Sequence, residues 1–197
     1  MSSTSRTVFV SVGSTRFDKL IAAVSSQAVL HLLHSLGYSH VTMQHGAGPA
    51  PSPAPNSATA IGVDSYNYKP SLHQDMEQAD LVISHAGRYL SVVRQSVFLS
   101  QPRVTELLNH LNLTIGSGSI LEALRLRKKL IVVVNEELMH NHQLELGSAL
   151  QDRKYLVCCT ADQLEKALSA KDYESLQPFP EPDPSLFANL LNEHLGL

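Results

Sequence analysis

The segment Leu130-Ile131-Val132-Val133-Val134 decides the fold class of this 197-residue chain. An uninterrupted apolar run of this kind predicts a central strand of a parallel sheet that helices cover on both faces. A second run, Thr7-Val8-Phe9-Val10-Ser11-Val12, is rich in β-branched residues, ends at Gly13 and predicts another strand. Strand-like and helical segments alternate outward from these two runs. The sequence therefore predicts an α/β fold, a Rossmann-like parallel sheet with helices on both faces.

Apolar spacing and turn residues predict the other elements. Residues 17–36 form a single helix in this prediction, because apolar side chains recur at helical spacing and Gly37 can end the helix. Ser71 and Thr160 are the predicted N-caps of two later helices. The further predicted strands are 41–44, 61–63 with 66–68, 80–85 and 156–159, and the further helices are 72–78, 119–126, 142–150, 162–168 and 185–195.

The composition excludes several classes of function. The hydrophobic fraction of 43% suffices for the core of one domain, and the formal net charge of −3 disfavours a strongly basic nucleic-acid binder. No window approaches ~18 unbroken apolar residues, and we therefore expect no membrane-spanning segment. Because Cys158 and Cys159 are adjacent and no Cys/His spacing suggests zinc, we expect a reducing compartment and no metal site.

The loops after the strands are the candidate sites, because ligands of open parallel sheets bind beyond the carboxyl ends of the strands. Ser117, Gly118 and Ser119 are small residues that lead directly into a helix, where exposed backbone N–H groups can bind a phosphate. Glu122 lies in the first turn of that helix and could accept hydrogen bonds from a ribose diol. An ordinary flexible turn followed by an unremarkable glutamate is the alternative at this point.

Three other loops carry polar or small residues at strand ends. Gly13-Ser14-Thr15 would let a substrate approach the backbone, and His85 ends an apolar strand, where it could bond a phosphate or a sugar hydroxyl or act as a base. The polar loop 135–143 would suit hydrogen bonds to a sugar. The alternatives are a simple strand-to-helix turn, a structural histidine and a solvated loop.

Five motifs in this order resemble one protein family. They include Val8-Phe9-Val10-Ser11-Val12-Gly13-Ser14-Thr15, Tyr66-Asn67-Tyr68-Lys69-Pro70-Ser71-Leu72, Ile83-Ser84-His85-Ala86-Gly87, Ser117-Gly118-Ser119-Ile120-Leu121-Glu122 and Asn141-His142-Gln143-Leu144-Glu145-Leu146. They are similar to the soluble catalytic subunit of the UDP-N-acetylglucosamine transferase of asparagine-linked glycosylation, a glycosyltransferase family 28-like protein. The resemblance covers about residues 8–168.

The resemblance implies a fold equivalent to the C-terminal, nucleotide-sugar-binding half of a GT-B glycosyltransferase. It implies a GlcNAc transfer from UDP-GlcNAc to GlcNAc-diphospho-dolichol, the second step of lipid-linked oligosaccharide synthesis for protein N-glycosylation. The enzyme, N-acetylglucosaminyldiphosphodolichol N-acetylglucosaminyltransferase, would be a heterodimer with a membrane-anchored acceptor-binding subunit. This chain would be cytoplasmic and peripheral on the cytosolic face of the endoplasmic reticulum membrane, with no cofactor and no metal.

The resemblance also implies roles for individual residues. The diphosphate of UDP would be held by Ser117, Gly118 and Ser119, and the ribose by Glu122. The GlcNAc would lie near Asn141, His142 and Gln143. The part of the cleft that faces the partner subunit would be lined by Gly13, Ser14, Thr15 and His85. Since the family inverts the sugar configuration, a base is needed, and His85 is the candidate.

The chain departs from the family at residues 88–116, which separate two motifs that are contiguous in the family. We hypothesise that this insert is a retained intron or an error in the gene structure. The predicted organisation is a nucleotide-sugar-binding domain over 1–175, interrupted by the atypical insert 88–116, and a proline linker with a docking helix over 176–197. The alternative function is a non-catalytic, partner-binding isoform whose nucleotide-sugar site the insert disrupts.

Overall fold

The structure is a computed structural model that describes residues 5–51, 61–86, 119–135 and 150–179. These residues form one parallel sheet with the strand order β3-β2-β1-β4-β5-β6, which confirms the predicted α/β fold. The strands are β1 (Arg6–Ser11), β2 (Tyr38–Gln44), β3 (Gly62–Tyr66), β4 (Leu81–His85), β5 (Lys129–Val134) and β6 (Val157–Thr160). The α-helices are α1 (Asp18–Ser25), α2 (Gln27–Ser35), α3 (His73–Gln78), α4 (Ser119–Arg125) and α5 (Leu164–Ala170).

Strand β5 has the burial that its apolar run predicts. Its residues from Leu130 to Val134 are all buried, and they alternate between the two faces of the sheet. Ile131 and Val133 face the layer of α1, α2 and α5, which contributes Leu20, Val24, Leu33 and Leu168. Leu130, Val132 and Val134 face the layer of α3 and α4, which contributes Met76, Ile120 and Leu124. Burial of each such side chain contributes roughly 1.5–3 kcal/mol to the free energy of folding.

The predicted single helix over 17–36 is wrong, because the structure breaks it into α1 and α2 at Ser26. Ser26 has extended backbone angles, with φ −64° and ψ 145°. Its hydroxyl donates to the carbonyl of Ala23 (2.7 Å) and accepts from the backbone N–H of Val29 (3.3 Å). A serine side chain that caps a new helix in this way competes with helix continuation. Both halves still direct apolar side chains to the same face of the sheet.

The other element boundaries differ from the prediction by a few residues. Helix α3 begins at His73, with Leu72 at the N-cap position, and the hydroxyl of Ser71 accepts from the His73 N–H at 3.2 Å. After Thr160 the chain forms a 3₁₀ turn (Ala161–Gln163) before α5, and the Thr160 N–H donates to Gln163 Oε1 at 3.3 Å. The predicted helix 185–195, and the predicted helix 142–150 except its last residue, lie outside the described residues.

The strand order places one crevice at the carboxyl edge of the sheet. The chain runs from β1 outward to β2 and β3, and then returns to lay β4 against the other side of β1. The helix that follows β1, α1, and the helix α4 further along the chain after β4 lie on opposite faces of the sheet. In parallel sheets of this kind ligands bind in a crevice beyond the carboxyl ends of two such strands. We call this crevice the switch-point crevice; Ser11 and His85 end its two strands. Of the helices in the described parts of the chain, none has the length and apolar character that crossing a membrane requires.

Candidate functional site

The loop after β1 lines one side of the switch-point crevice. Gly13 has a φ of +70°, a left-handed conformation that suits glycine, and it turns the chain toward α1. Ser14 is exposed, and Thr15 is half-buried. The hydroxyl of Thr15 donates to the carbonyl of Val12 (2.9 Å) and lies 3.1 Å from Nδ1 of His85 on the neighbouring strand. The structure therefore brings three of the predicted cleft residues, Gly13, Thr15 and His85, to one place.

The hydrogen bonds of Thr15 determine which ring nitrogen of His85 carries the proton. A hydroxyl has one hydrogen, and that of Thr15 goes to the Val12 carbonyl, which leaves its oxygen as an acceptor for His85. The imidazole proton therefore lies on Nδ1, and Nε2 keeps a free lone pair. Nε2 is buried and has no hydrogen-bond partner among the described residues.

The surroundings of His85 favour the neutral imidazole. Only 4% of the residue is exposed, and the ring of Phe17 lies against it with a centroid separation of 4.8 Å. Burial lowers the pKa of His85 below its ordinary value of 6.5, although the nearby Val12 carbonyl, which favours the protonated ring, opposes that shift. At neutral pH, Nε2 of His85 is therefore an unprotonated base, and none of the described residues donates a hydrogen bond to it.

The loop after β2 packs directly on the loop after β1. Gly46 has a φ of +61°, and a Cβ at this position would stand 2.3 Å from the Thr15 carbonyl oxygen and 2.7 Å from that of Gly13. Only glycine allows such an approach. The backbone N–H of Ala47 donates to the same Thr15 carbonyl at 3.2 Å. The two loops form a single packed wall of the crevice.

The start of α4 lies beside the carboxyl end of β4, as a phosphate-binding helix requires. The hydroxyl of Ser119, the first residue of α4, lies 2.6 Å from that of buried Ser84, and Ser84 immediately precedes His85. Of the three predicted diphosphate ligands, Ser119 is thus placed at the carboxyl edge. Ser117 and Gly118, together with Asn141, His142 and Gln143, lie outside the described residues.

Glu122 faces helix α3 from the first turn of α4. One of its oxygens, Oε1, lies 3.0 Å from Nδ1 of His73, and 23% of its side chain is exposed. The contact with His73 therefore orients the carboxylate of Glu122. This contact joins α3 to α4.

The motif 66–72 has a structural explanation, because it secures the start of α3. The hydroxyl of Tyr66 donates to Asp75 Oδ2 at 2.5 Å, and Lys69 Nζ lies 2.8 Å from Asp75 Oδ1. The same ammonium group lies 4.1 Å from the centroid of the Tyr66 ring, within range of a cation–π interaction. These contacts attach the loop after β3 to the helix that carries His73.

A second concave region lies away from the crevice, at the β6 edge of the sheet. This cavity of about 490 Å³ is lined by β6, α5 and the following turn, including Cys158, Cys159 and Lys166. Burial raises the pKa of the Cys158 thiol to about 11 and that of Cys159 to about 12. Both thiols are therefore protonated at neutral pH and are poor nucleophiles. Within the described ranges, no group of three His, Cys, Asp or Glu side chains could hold a metal ion.

Two buried polar residues at the carboxyl edge of the sheet, Gln44 and Ser84, are not among the predicted site residues. Both are polar residues at or next to the carboxyl end of an otherwise apolar strand, which is the signal that could have identified them. Their importance depends on partners that come from other strands and helices. Such partners cannot be assigned from the local sequence.

The sequence matches the family described as the glycosyltransferase family 28 C-terminal domain over residues 7–89 and 101–194. The gap in this match falls within the predicted insert 88–116. The description agrees with the predicted equivalence to the C-terminal half of a GT-B glycosyltransferase, and that prediction is confirmed.

Relatives with close sequence similarity carry one name. The UDP-N-acetylglucosamine transferase subunit ALG13 of Homo sapiens is 40% identical over 168 residues, which are 85% of this chain and 12% of that protein. The present chain thus spans about an eighth of its human relative. The subunit of the same name from Eremothecium gossypii is 32% identical over 198 residues, covering 95% of this chain and 92% of that one.

The fold is similar to that of a solved structure over nearly its whole length. An NMR solution structure of ALG13 superposes with a TM-score of 0.61 and covers 98% of both chains, at 24% sequence identity. At this identity the likeness concerns the fold. It supports the described sheet order and the position of the crevice.

Proposed function

Because this chain belongs to the glycosyltransferase family 28 C-terminal domain family, and its relatives are ALG13 transferase subunits, we propose that it is the catalytic subunit of a UDP-N-acetylglucosamine transferase. The reaction is the transfer of GlcNAc from UDP-GlcNAc to GlcNAc-diphospho-dolichol, the second step of lipid-linked oligosaccharide synthesis. The acceptor is presented by a membrane-anchored partner subunit, and the chain acts on the cytosolic face of the endoplasmic reticulum.

The observation that carries the proposal is the arrangement at the switch-point crevice. A buried neutral histidine lies there next to the N-terminus of a helix of the kind that binds nucleotide phosphates. His85 lies on one side of the end of β4, toward the loop after β1, and Ser84 faces Ser119 on the other side. A transferase needs a base for the acceptor next to a place for the donor. The end of β4 supplies both within two consecutive residues.

The donor binds at the start of α4 in this proposal. Ser117, Gly118 and Ser119 hold the diphosphate, and their backbone N–H groups stabilise the negative charge that develops on the departing UDP. The second carboxylate oxygen of Glu122, Oε2, accepts a hydrogen bond from the ribose, while His73 holds Oε1. Asn141, His142 and Gln143 bind the GlcNAc.

His85 acts as the base for the acceptor. Its Nε2 takes the proton of the acceptor hydroxyl while the hydroxyl oxygen bonds to the anomeric carbon and the bond between that carbon and UDP breaks. Thr15 holds Nδ1–H, which keeps the lone pair on Nε2. Because Nε2 is buried in this structure, the acceptor hydroxyl has to enter the pocket beside Phe17 to reach it. Gly13, Ser14 and Thr15 line that entrance.

A transfer assay tests the proposal directly. The full chain, co-expressed with the anchored subunit, is given UDP-GlcNAc labelled in the sugar and GlcNAc-diphospho-dolichol, and the labelled chitobiosyl lipid is measured. Binding of UDP-GlcNAc to the chain is measured in parallel by calorimetry. We expect donor binding and transfer that requires both subunits. If the chain binds its partner but neither binds the donor nor supports transfer, it is a non-catalytic isoform and the proposal fails.

A further inference from the structure

We propose that Gln44 is a positioning residue for this transfer, which rests on the function proposed above. Its buried side-chain amide holds the loop after β1 in one conformation and thereby sets the position and tautomer of His85. Gln44 itself touches neither His85 nor the predicted donor loop in any contact that the structure shows among the described residues. Its effect is exerted through the backbone of Gly13 and the side chain of Thr15.

The amide of Gln44 uses its full hydrogen-bonding capacity. Its oxygen accepts from the hydroxyl of Ser11 and from the N–H of Gly13, both at 2.9 Å. Its nitrogen donates to the carbonyls of Gly13 and Asn67, both at 2.7 Å. Since a backbone N–H can only donate and a carbonyl can only accept, these partners fix which end of the amide is oxygen. Only 2% of the residue is exposed.

This arrangement clamps both polar groups of one peptide turn. The N–H and the carbonyl of Gly13 bind the same side chain, which fixes the backbone of a residue with positive φ that would otherwise be free to move. Backbone hydrogen bonds from a longer β2 could reach only those groups of the Gly13 turn that point within the plane of the sheet. The side-chain amide reaches around the turn instead, because it offers a donor and an acceptor side by side.

The clamp is connected to His85 by a short path. Thr15 lies two residues after Gly13, and its hydroxyl joins the Val12 carbonyl to Nδ1 of His85. Gly46 and Ala47 hold the other side of the same loop, and Asn67 connects the loop after β3. The loops after β1, β2 and β3 are thereby one unit, and Gln44 is the side chain that bonds to two of them.

If Gln44 is lost, two carbonyls and one N–H are left to find other partners. The hydroxyl of Ser11 offers the Gly13 N–H only a longer contact of 3.3 Å. Thr15 then loses its fixed position, and the base is presented incorrectly to the acceptor. The donor is held on the other side of β4, and its binding is expected to change little. The expected signature is a fall in kcat with an unchanged KM for UDP-GlcNAc.

The test compares two Gln44 variants with a matched core variant in the complex of full chain and anchored subunit. Gln44→Met keeps the size of the side chain and removes all polar contacts. Gln44→Glu is the second variant: it keeps the shape and both accepting contacts, but its second oxygen can donate to at most one of the two carbonyls, and only when it is protonated. Met43→Ala is the control. Met43 is the residue before Gln44 on β2 and is fully buried, and its side chain packs in the core layer of α1, α2 and α5.

Kinetics are measured well below the Tm of every variant. We expect Gln44→Met to lower kcat by about ten-fold or more, since small misplacements of reacting groups cost up to about 10²-fold. Its KM for UDP-GlcNAc should stay within about two-fold. Met43→Ala should lower Tm at least as much and keep both constants near those of the wild type. A Gln44→Met enzyme whose kcat matches that of Met43→Ala overturns the inference.

A second readout does not depend on activity. In the full chain labelled with ¹⁵N-histidine, the imidazole signals report which nitrogen of His85 carries the proton. The wild type should show the Nδ1–H form, and Gln44→Met or Gln44→Glu should show a mixture of both forms. If the wild type folds but transfers no sugar, the proposed function fails, and this spectrum still decides the inference. An unchanged His85 tautomer in both variants refutes it.

Discussion

His85 owes its chemical state to three neighbouring residues. The hydroxyl of Thr15 donates a hydrogen bond to the carbonyl of Val12 and therefore accepts one from Nδ1–H of His85. The ring of Phe17 lies against the imidazole with a centroid separation of 4.8 Å. A histidine at a strand end can be structural or catalytic as far as its sequence is concerned. Our proposal that His85 is the base rests on the lone pair of Nε2, which has no hydrogen-bond partner among the described residues.

Replacing His85 by asparagine tests its role as the base. The asparagine amide can still donate from roughly the place of Nδ1 to Thr15, but it has no counterpart of Nε2. Because general base catalysis contributes typically about 10²–10⁴-fold, we expect kcat to fall by that factor. The KM for UDP-GlcNAc should hardly change. Steady-state kinetics of the complex provide the measurement, and a variant within about three-fold of the wild-type rate would show that another group is the base.

The lowered pKa of His85 also predicts a pH dependence of stability. The folded state holds the imidazole neutral below the ordinary pKa of 6.5, and the unfolded state does not. The unfolded chain therefore binds more protons as the pH falls below 6.5, and the free energy of unfolding decreases toward the lowered pKa. Between about pH 7 and pH 5, the Tm of the wild type should fall more steeply than that of His85→Asn. Parallel curves in thermal melts would contradict the prediction, and above about pH 7 the two slopes should agree.

Glu122→Gln tests the proposed contact with the ribose. Hydrogen bonds to a charged group contribute about 1.5–3 kcal/mol, and we expect the variant to bind UDP about ten-fold or more weakly. The loss should be much smaller for 2′-deoxy-UDP, which lacks one of the hydroxyls. Calorimetric titration of both nucleotides measures the difference. The control is Glu165→Gln on the exposed surface of α5, which should bind both as the wild type does. Equal losses for the two nucleotides would argue against a ribose contact.

At the scale of elements, short helices are held to the edge of the sheet by polar contacts as well as by apolar packing. Helix α4 has seven residues and contacts β4 through the Ser119–Ser84 hydrogen bond at 2.6 Å. Helix α3 has six residues and is secured by the Tyr66–Asp75 and Lys69–Asp75 contacts. Isolated helices of this length are not stable, because nucleation costs more than a few hydrogen bonds return. Their positions therefore depend on the sheet.

Removing the hydroxyl of Ser84 should loosen the start of α4. Ser84→Ala leaves the Ser119 hydroxyl without its partner on β4, and we expect a loss of about 1 kcal/mol in the free energy of unfolding. Affinity for UDP-GlcNAc should fall because Ser119 belongs to the proposed diphosphate loop. Urea unfolding and donor titration are the measurements. Ser169→Ala, at an exposed position on α5, should change neither quantity. If Ser84→Ala bound UDP-GlcNAc as tightly as the wild type does, the start of α4 would not be part of the donor site.

The described residues form one sheet with helices on both faces. The proposed reaction also needs a surface that binds the acceptor, which we assign to the partner subunit. The two loops after β1 and β2 form a packed wall, and His85 lies behind it. Such an arrangement suits a surface against which a second subunit presents the acceptor. The relative from Eremothecium gossypii, a subunit by name, has nearly the same extent as this chain.

Deleting the insert tests whether it belongs to the working enzyme. In the complex with the anchored subunit, a chain without residues 88–116 should transfer at least as fast as the full chain, because the deletion joins His85-Ala86-Gly87 directly to Ser117-Gly118-Ser119. The same labelled-sugar assay compares the two chains at equal concentrations of complex. A deleted chain that is folded and inactive, next to an active full chain, would show that the insert contributes to the site.

Local sequence determined the strands and the character of the sheet. The run of apolar residues in β5 can be buried on both sides only between two helical layers, and the glycine that ends the first strand allows the turn there. The break at Ser26 was beyond the local pattern, since the same apolar spacing suits one helix or two. The structure shows that the side chain of Ser26 caps α2 and competes with the backbone hydrogen bonds of a continuous helix.

The site divides in the same way between sequence and tertiary structure. The sequence by itself determined that His85 ends a strand, that Gly13 and Thr15 follow one, and that Ser119 begins a helix. The alternation of strands and helices places the carboxyl ends of the strands at one edge of the sheet. Only the tertiary structure decided that Gln44 clamps Gly13, that Thr15 directs the proton of His85 to Nδ1, and that His73 meets Glu122. Hydrogen bonds between residues far apart in the chain depend on strand order and register, and a linear pattern does not contain the distances on which they depend.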